Sequence, residues 1–323
     1  MSNFQLSFLV FLQILQFQIA DFLQSVYLCS PLYIHKSFLY TCFLKRSDYI
    51  EQNKIKISYR KNESWIILSQ IEQSIKSKIE SIGIPLKDWD ISINYGIKTG
   101  YNDAFIIDTK KREEILNNCQ TTNERTRTDE LIRPILRGRD IKRYSYEFAD
   151  LYLICTFPSK HYNIDKYPAI RDYLLTFDKR KLEQSGAKAI DGIIGNNARK
   201  KTNNQWFETQ DSIAYWDDFN KQKIVFSRIS GNEPCFALDD KKYMINDTAY
   251  MIVGNNIEHL LEKLCSSEYW FAFKRFYMGG GIEKEFKVYN LENLPIPLPK
   301  AQELKLTEEE IQFISSSVNL KND

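Results

Sequence analysis

Six short apolar runs, none as long as a buried helix, constrain the fold most. They are DISINY (90–95), FIID (105–108), LYLICTF (151–157), KIVFSR (223–228), CFAL (235–238) and YMIV (250–253). Runs of this length, rich in β-branched and aromatic residues, read as strands. Helical patterning falls between them only at 169–183 and 257–276, so strands and helices do not alternate one for one. That excludes a doubly wound parallel sheet and predicts an α+β fold. Gly231-Asn232 and Asp239-Asp240 supply turn chemistry between strands.

The sequence divides into three parts. Residues 64–299 are expected to form the main domain, opened by an amphipathic helix from Trp65 to Ile82. Its apolar positions, Ile66, Ile67, Ile71, Ile75, Ile79 and Ile82, recur near a 3.6-residue period. Ser69 can cap it, and Gly83 followed by Pro85 ends it. The LPIPLP segment at 294–299 cannot continue a helix or a central strand and is expected to run as an extended connector. Residues 300–323 then start a helix at Thr307 and Glu308–Glu310. Residues 1–63 are an apolar leader and a charged connector. From Met1 to Leu44 the only formal charges are Asp21 and Lys36, so the basic start of a signal peptide is missing. Gln5, Gln13, Gln16 and Gln18 interrupt the apolar stretch and argue against a membrane span. A buried helix or strand that once packed against something no longer in the chain is the expectation, with peripheral membrane contact as the alternative.

The chemistry concentrates in LIRPILRGRDIKRY (131–144). Arg133, Arg137, Arg139, Lys142 and Arg143 against Asp140 leave +4 there, on a chain whose total is +2. Lys and Arg (44) almost balance Asp and Glu (42), so nucleic-acid affinity must come from patches such as this one. Pro134 and Gly138 interrupt the run, which predicts a short element entering a turn that points several guanidiniums one way. The GIKTG loop (96–100) lacks the spacing of a P-loop, yet its glycines allow close backbone approach, and Lys98, Tyr101 and Asn102 offer a cation, a ring and an amide. YWDDF (215–219) places two acids among aromatics in what reads as a strand, where they would face opposite ways and could not share a metal. Lys223, Arg228 and Asn246 follow, types suited to phosphate or base edges. Glu283-Lys284-Glu285-Phe286-Lys287 contains an E-x-K, beside the glycine run 279–281. Six cysteines without a C-x-x-C pair, and three scattered histidines, imply reduced thiols in a cytoplasmic protein and not a zinc site. No two prolines are adjacent, so the Pro-Pro loop of an adenine methyltransferase is missing, as are a cofactor glycine motif and the hydrolase and helicase signatures. No active site is recognisable, so the residues leave open whether the chain is an enzyme.

Several stretches resemble the TaqI-like C-terminal specificity domain of combined restriction–modification (type IIG) enzymes. They are INYGIKTGYNDAFIID (93–108), RPILRGRDIKRY (133–144), YWDDF (215–219), KIVFSRISG (223–231), NDTAYMIVG (246–254) and YMGGGIEKEFKVYNLENLPIP (277–297). The resemblance implies sequence-specific binding of double-stranded DNA, in a family whose adenine-specific methyltransferase and nuclease parts use S-adenosylmethionine and Mg²⁺. Those parts would precede residue 60 and are missing here, which suggests a truncated or split gene product and no cofactor in this chain. A separate methyltransferase or nuclease chain is then the expected partner. In this reading Lys98, Arg133, Arg139, Lys284 and Lys287 contact phosphates, while Asn102, Arg137, Arg143, Arg228 and Asn246 supply base-edge readout. Tyr101 and Lys223 complete the expected DNA-binding set. The competing readings are a free-standing Mg²⁺-dependent nuclease built on Glu283 or Glu285 with Lys287, and a non-functional fragment.

Overall fold

The computed structural model describes residues 68–229, 231–278 and 286–318. The leader, the glycine run and residues 283–285 of the E-x-K segment therefore lie outside the described residues.

The fold is α+β, with sheets formed largely by antiparallel pairing. Helix α1 (Gln70–Ile82) begins at the predicted Ser69 cap and not at Trp65, which lies outside the described residues, and it ends at Ile82 as expected. Ser69 and Glu72 form a capping box, with the Glu72 carboxylate accepting the Ser69 backbone N–H at 2.6 Å. Two N-terminal amides are thereby satisfied, and the i, i+4 pair Ile75 and Ile79 turns fully inward. Strand β1 (Ile84–Pro85) follows, then β2 (Ile91–Tyr95), β3 (Ile106–Asp108), helices α2 (Thr109–Asn117) and α3 (Thr122–Leu131), β4 (Ile132–Leu136) and β5 (Leu151–Ile154). Helix α4 (Pro168–Leu174) precedes a hairpin of β6 (Ala189–Ile190) and β7 (Ile193–Ile194). Strands β8 (Lys223–Ser227), β9 (Phe236–Asp239), β10 (Met244–Ile245) and β11 (Ala249–Gly254) lead to α5 (Ile257–Leu264) and α6 (Ser267–Ala272). The chain finishes with β12 (Pro295–Ile296) and α7 (Glu308–Ser317).

Two four-stranded sheets carry the fold. The first has the order β10-β4-β5-β3, and the second β2-β11-β8-β9. Among the described strands only β10 and β4 pair in parallel, with one further isolated parallel bridge between Ile97 and Asn246. Every strand of the second sheet is antiparallel to its neighbours, and β8, β9 and β11 are buried on both faces while β2 forms a partly exposed edge. Val225, Ala237, Ala249 and Met251 point to a core shared with the first sheet. Their alternate neighbours Ile224, Phe226, Phe236, Tyr250 and Ile252 point to a second core under α1, α5 and α6. In that second core Phe226, Phe236, Trp270, Phe273 and Phe286 pack ring against ring, with centroids 5.0–6.5 Å apart.

Three expectations are corrected. Helical residues 169–183 break after Leu174, where the Phe177 ring turns in against Tyr101 and Tyr173 and Asp178 caps a new turn. Helical residues 257–276 restart at α6, because the Ser266 hydroxyl accepts the Tyr269 N–H. YWDDF is a 3₁₀ turn (Trp216–Asn220), not a strand. It buries Phe219, while Asp218 accepts from Asn94 Nδ2 and pairs with Lys221. The extended connector is found as expected, and its β12 pairs with β1. No described helix is long and apolar enough to cross a membrane.

Candidate nucleic-acid interface

Three connections meet where the two sheets join: residues 96–98 leaving β2, residues 137–141 leaving β4, and residues 246–248 passing from β10 to β11. Their contacts are made mostly by backbone. Ile97 N–H donates to Ile245 O at 2.7 Å, Asp247 N–H to Ile97 O at 3.1 Å, and Asn246 N–H to Leu136 O at 3.1 Å. Thr248 ties in the other two segments, its hydroxyl accepting Gly138 N–H at 2.8 Å and its carbonyl accepting Arg228 N–H at 2.9 Å. The Arg228 carbonyl in turn accepts Phe286 N–H at 2.8 Å. Such crossings need glycine. A Cβ on Gly96 would lie 1.8 Å from Asn246 O, and one on Gly138 would lie 2.2 Å from Thr248 O.

This junction sorts the expected DNA-binding residues into two groups. Lys98, Arg139, Arg228 and Lys287 are exposed, and each sits on, or next to, a residue bonded into the junction. Asn102 is exposed on the same loop as Lys98, with its Oδ1 accepting the Thr99 hydroxyl at 2.6 Å. Lys98 and Arg139 make no side-chain hydrogen bond or ion pair among the described residues. One loop cluster thus gathers cations that stand far apart in sequence.

The other expected residues serve the frame. Lys223 is fully buried, 2.5 Å from the Asp239 carboxylate, and its ammonium donates to Phe219 O at 2.9 Å. It is a cross-strand partner of Asp239 and does not reach the surface, so the phosphate or base contact expected of it is corrected. Burial pulls its pKa down, against the opposing pull of Asp239. Asn246 is buried as well, and its Oδ1 is occupied by the Thr248 amide and hydroxyl. Arg137 forms a bidentate pair with Asp140 at 2.7 and 2.9 Å, and this hydrogen bonding raises its pKa. The guanidinium fork expected to read a base edge is already filled by a carboxylate. Arg133 donates to Lys242 O and Asn220 Oδ1. It lies at the far end of β4 from Arg137, about 13 Å away at ~3.3 Å per residue, and has different partners, so the arginines of 131–144 do not gather at one place. Arg143 donates to Cys265 O at the end of α5 and stacks on the Tyr144 ring. Tyr101 packs edge-on against Phe177. Lys284 lies outside the described residues.

Sequence reasoning missed Arg199. It is buried, has no carboxylate bonded to it, and donates to the carbonyls of Leu182, Thr99, Glu208 and Trp206, with a bond of 2.6–2.9 Å to each. Burial lowers its pKa to about 10. Through Thr99 O it fixes the loop that presents Lys98. One Arg among neighbouring lysines gave no signal, because backbone carbonyls leave no pattern in a sequence. Burial also pushes the Cys155 and Cys265 thiols up to about 12, which suits inert core residues. Among the described residues no three His, Cys, Asp or Glu side chains converge as a metal site.

Comparison with known proteins gives the following. Residues 133–296, about half of the chain, match the TaqI-like C-terminal specificity domain. Two solved structures are similar to this chain. One is the type IIG restriction endonuclease BpuSI, at 16% identity and TM-score 0.44, with 77% of this chain covered. The other is the type IIL restriction–modification enzyme MmeI, solved in complex with DNA, at 11% identity and TM-score 0.37, with 65% covered. The chain spans about a quarter of the length of each, 28% and 25%. No curated protein matches it.

Proposed function

As the chain belongs to the TaqI-like C-terminal specificity domain family, we propose that it recognises duplex DNA as the target-recognition part of a restriction–modification system. The observation that carries this reading is the gathering of exposed Lys98, Arg139, Arg228 and Lys287 around the 246–248 turn. Phosphates spaced along a duplex need several cations held in fixed relation, and the crossing backbones hold these. Asn102, beside Lys98, is the amide best placed to read a base edge.

In this proposal the protein is cytoplasmic and works with a methyltransferase or nuclease on a separate chain. Recognition serves methylation of adenine. S-adenosylmethionine and Mg²⁺ belong to those partners in this reading. This chain contributes register and base choice.

The test is a gel-shift titration of the full chain on random-sequence duplex between low and high salt. Affinity is expected to fall linearly with log salt. Lys98→Ala with Arg139→Ala should reduce the slope by about 2, near 0.9 for each lost phosphate contact. Absence of binding, or binding indifferent to salt, overturns the reading. Selection from the same pool should then enrich one sequence, with a wrong base pair costing about 1–3 kcal/mol.

A further inference from the structure

Residues 184–202 form an arm that the junction does not use. Its two sides are laddered by Thr202 N–H to Gln184 O, Gly186 N–H to Arg199 O, Ala198 N–H to Ala187 O and Ile190 N–H to Asn196 O. The ladder ends in the β6–β7 hairpin, whose Asp191 and Gly192 both take positive φ (56° and 73°), the geometry of a tight two-residue hairpin turn. Both ends of the arm are fixed in the body. Gln184 is buried, and its amide reaches the carbonyls of Glu208 and Thr209. Arg199 is bonded to Thr99 O, on the loop that presents Lys98. The tip stands clear, with nothing within 4 Å of where a Cβ on Gly192 or Gly195 would be.

The tip is apolar where a solvated turn would be polar. Ile194 is 95% exposed and Ile193 58%. The stem carries Lys188, Lys200 and Lys201, all exposed and without an ion pair among the described residues. The arm's one acid, Asp191, is paired with Arg180, which holds both carboxylate oxygens at 2.6 and 3.0 Å and also pairs with Asp178. An aliphatic point on a lysine-bearing, rigidly rooted stem matches the requirements of a wedge for duplex DNA: apolar side chains enter between base steps while cations meet the flanking phosphates.

We propose that the 184–202 arm is such a wedge, with Ile193 and Ile194 entering the base stack and Lys188, Lys200 and Lys201 gripping the backbone beside it. This rests on the DNA-recognition reading above and adds a distortion of the duplex to it. A membrane or a protein surface is disfavoured as the occupant because the root of the arm is hydrogen-bonded, through Arg199, to the loop carrying Lys98.

The experiment compares the full chain on random-sequence duplex and on the same pool carrying a single-nucleotide bulge, where stacking is already broken. The native chain is expected to bind the bulged pool about tenfold more tightly, since part of the unstacking cost has been removed. Ile193→Ser with Ile194→Ser should abolish that preference and leave the salt slope intact. Lys188→Ala, Lys200→Ala and Lys201→Ala together should keep the preference and lower the slope by about 2–3. The substituted side chains are exposed, so an unchanged melting temperature confirms that the variants fold. Salt-dependent binding with a bulge preference untouched by the serine variant overturns the wedge alone. So does a serine variant whose only change is reduced self-association in sedimentation. Loss of salt-dependent binding in the native chain overturns the DNA reading itself, and the wedge with it.

Discussion

Replacing Lys223 by methionine separates a cation of the frame from a cation of the interface. Lys223 and Asp239 are both at 0% exposure and pair directly across β8 and β9. Methionine keeps the length of the side chain and removes the charge, leaving the Asp239 carboxylate buried without its counter-ion. Stripping one partner from a buried pair costs about 3–5 kcal/mol. Asp239 still accepts the Lys241 and Tyr243 backbone amides at 2.8 and 2.9 Å, which places the loss near the lower end, about 3 kcal/mol. For a domain of this size that lowers the melting temperature by roughly 6–12 °C. Adding Asp239→Asn should recover part of the loss: no buried charge remains, and the asparagine oxygen can still accept one of the two amides. Urea denaturation followed by circular dichroism gives the free energies, and the salt titration on duplex DNA gives the second readout. Lys223→Met should leave the salt slope unchanged, whereas Arg139→Ala should lower the slope by about 0.9 and leave stability unchanged. A Lys223→Met protein of native stability with a reduced salt slope would refute the assignment and return Lys223 to the DNA surface.

Gly138→Ala should destabilise by about 3 kcal/mol or more in the same denaturation assay, since its Cβ would meet the Thr248 carbonyl, which is backbone and cannot swing away. Arg199→Ala leaves four carbonyls short of a donor. It should expose Lys188, Lys200 and Lys201 to trypsin at concentrations that leave the native arm intact, with cleavage mapped by mass spectrometry. Glu310 tests the pH dependence. Burial alone would raise its pKa, but hydrogen bonds from Lys78, Ser74 and the Thr307 amide outweigh burial and lower it to about 2. A carboxylate depressed on folding stabilises above its unfolded pKa of about 4.3. Unfolding free energy should therefore decline as pH falls from about 4.5 to 2, and Glu310→Gln should flatten that decline.

What the sequence revealed was local. Ser69 and Glu72, and likewise Thr307 and Glu310, signal helix starts at a spacing of three, and both capping boxes formed. Strands β8, β9 and β11 show as apolar runs because both of their faces are buried. What stayed hidden depends on register or on backbone partners. Lys223 reads as a surface lysine at a strand end, and only pairing with a residue sixteen positions later makes it a core ion. Arg133 and Arg137 are neighbours in a charge count, yet the length of β4 separates them. The arm carried a legible signal, Asp191-Gly192 between Ala-Ile and Ile-Ile, a strong hairpin dipeptide. Its strands are two residues each, below the length at which alternation is visible, so it passed unread.

These cations have divided roles, and the division bears on how the protein could recognise a sequence. Arg137, Arg199 and Lys223 spend their charge on Asp140, on backbone carbonyls and on Asp239, which is costly unless every hydrogen bond is satisfied. The return is position. Arg137 locks the turn that presents Arg139, and Arg199 locks the loop that presents Lys98, so in the proposed DNA-binding role both exposed cations would meet a duplex on fixed backbones. Discrimination between base pairs depends on holding a donor within a fraction of an ångström of its acceptor, and a loop held by a buried arginine meets that demand better than a free one. The inner cations should therefore govern specificity and the outer ones affinity. Arg137→Lys, which keeps the charge but loses the bidentate fork, should blunt the preference for the selected sequence over random duplex while the salt slope stays at its native value. If specificity survives that change undiminished, the turn is not what positions Arg139, and the inner cations serve stability alone.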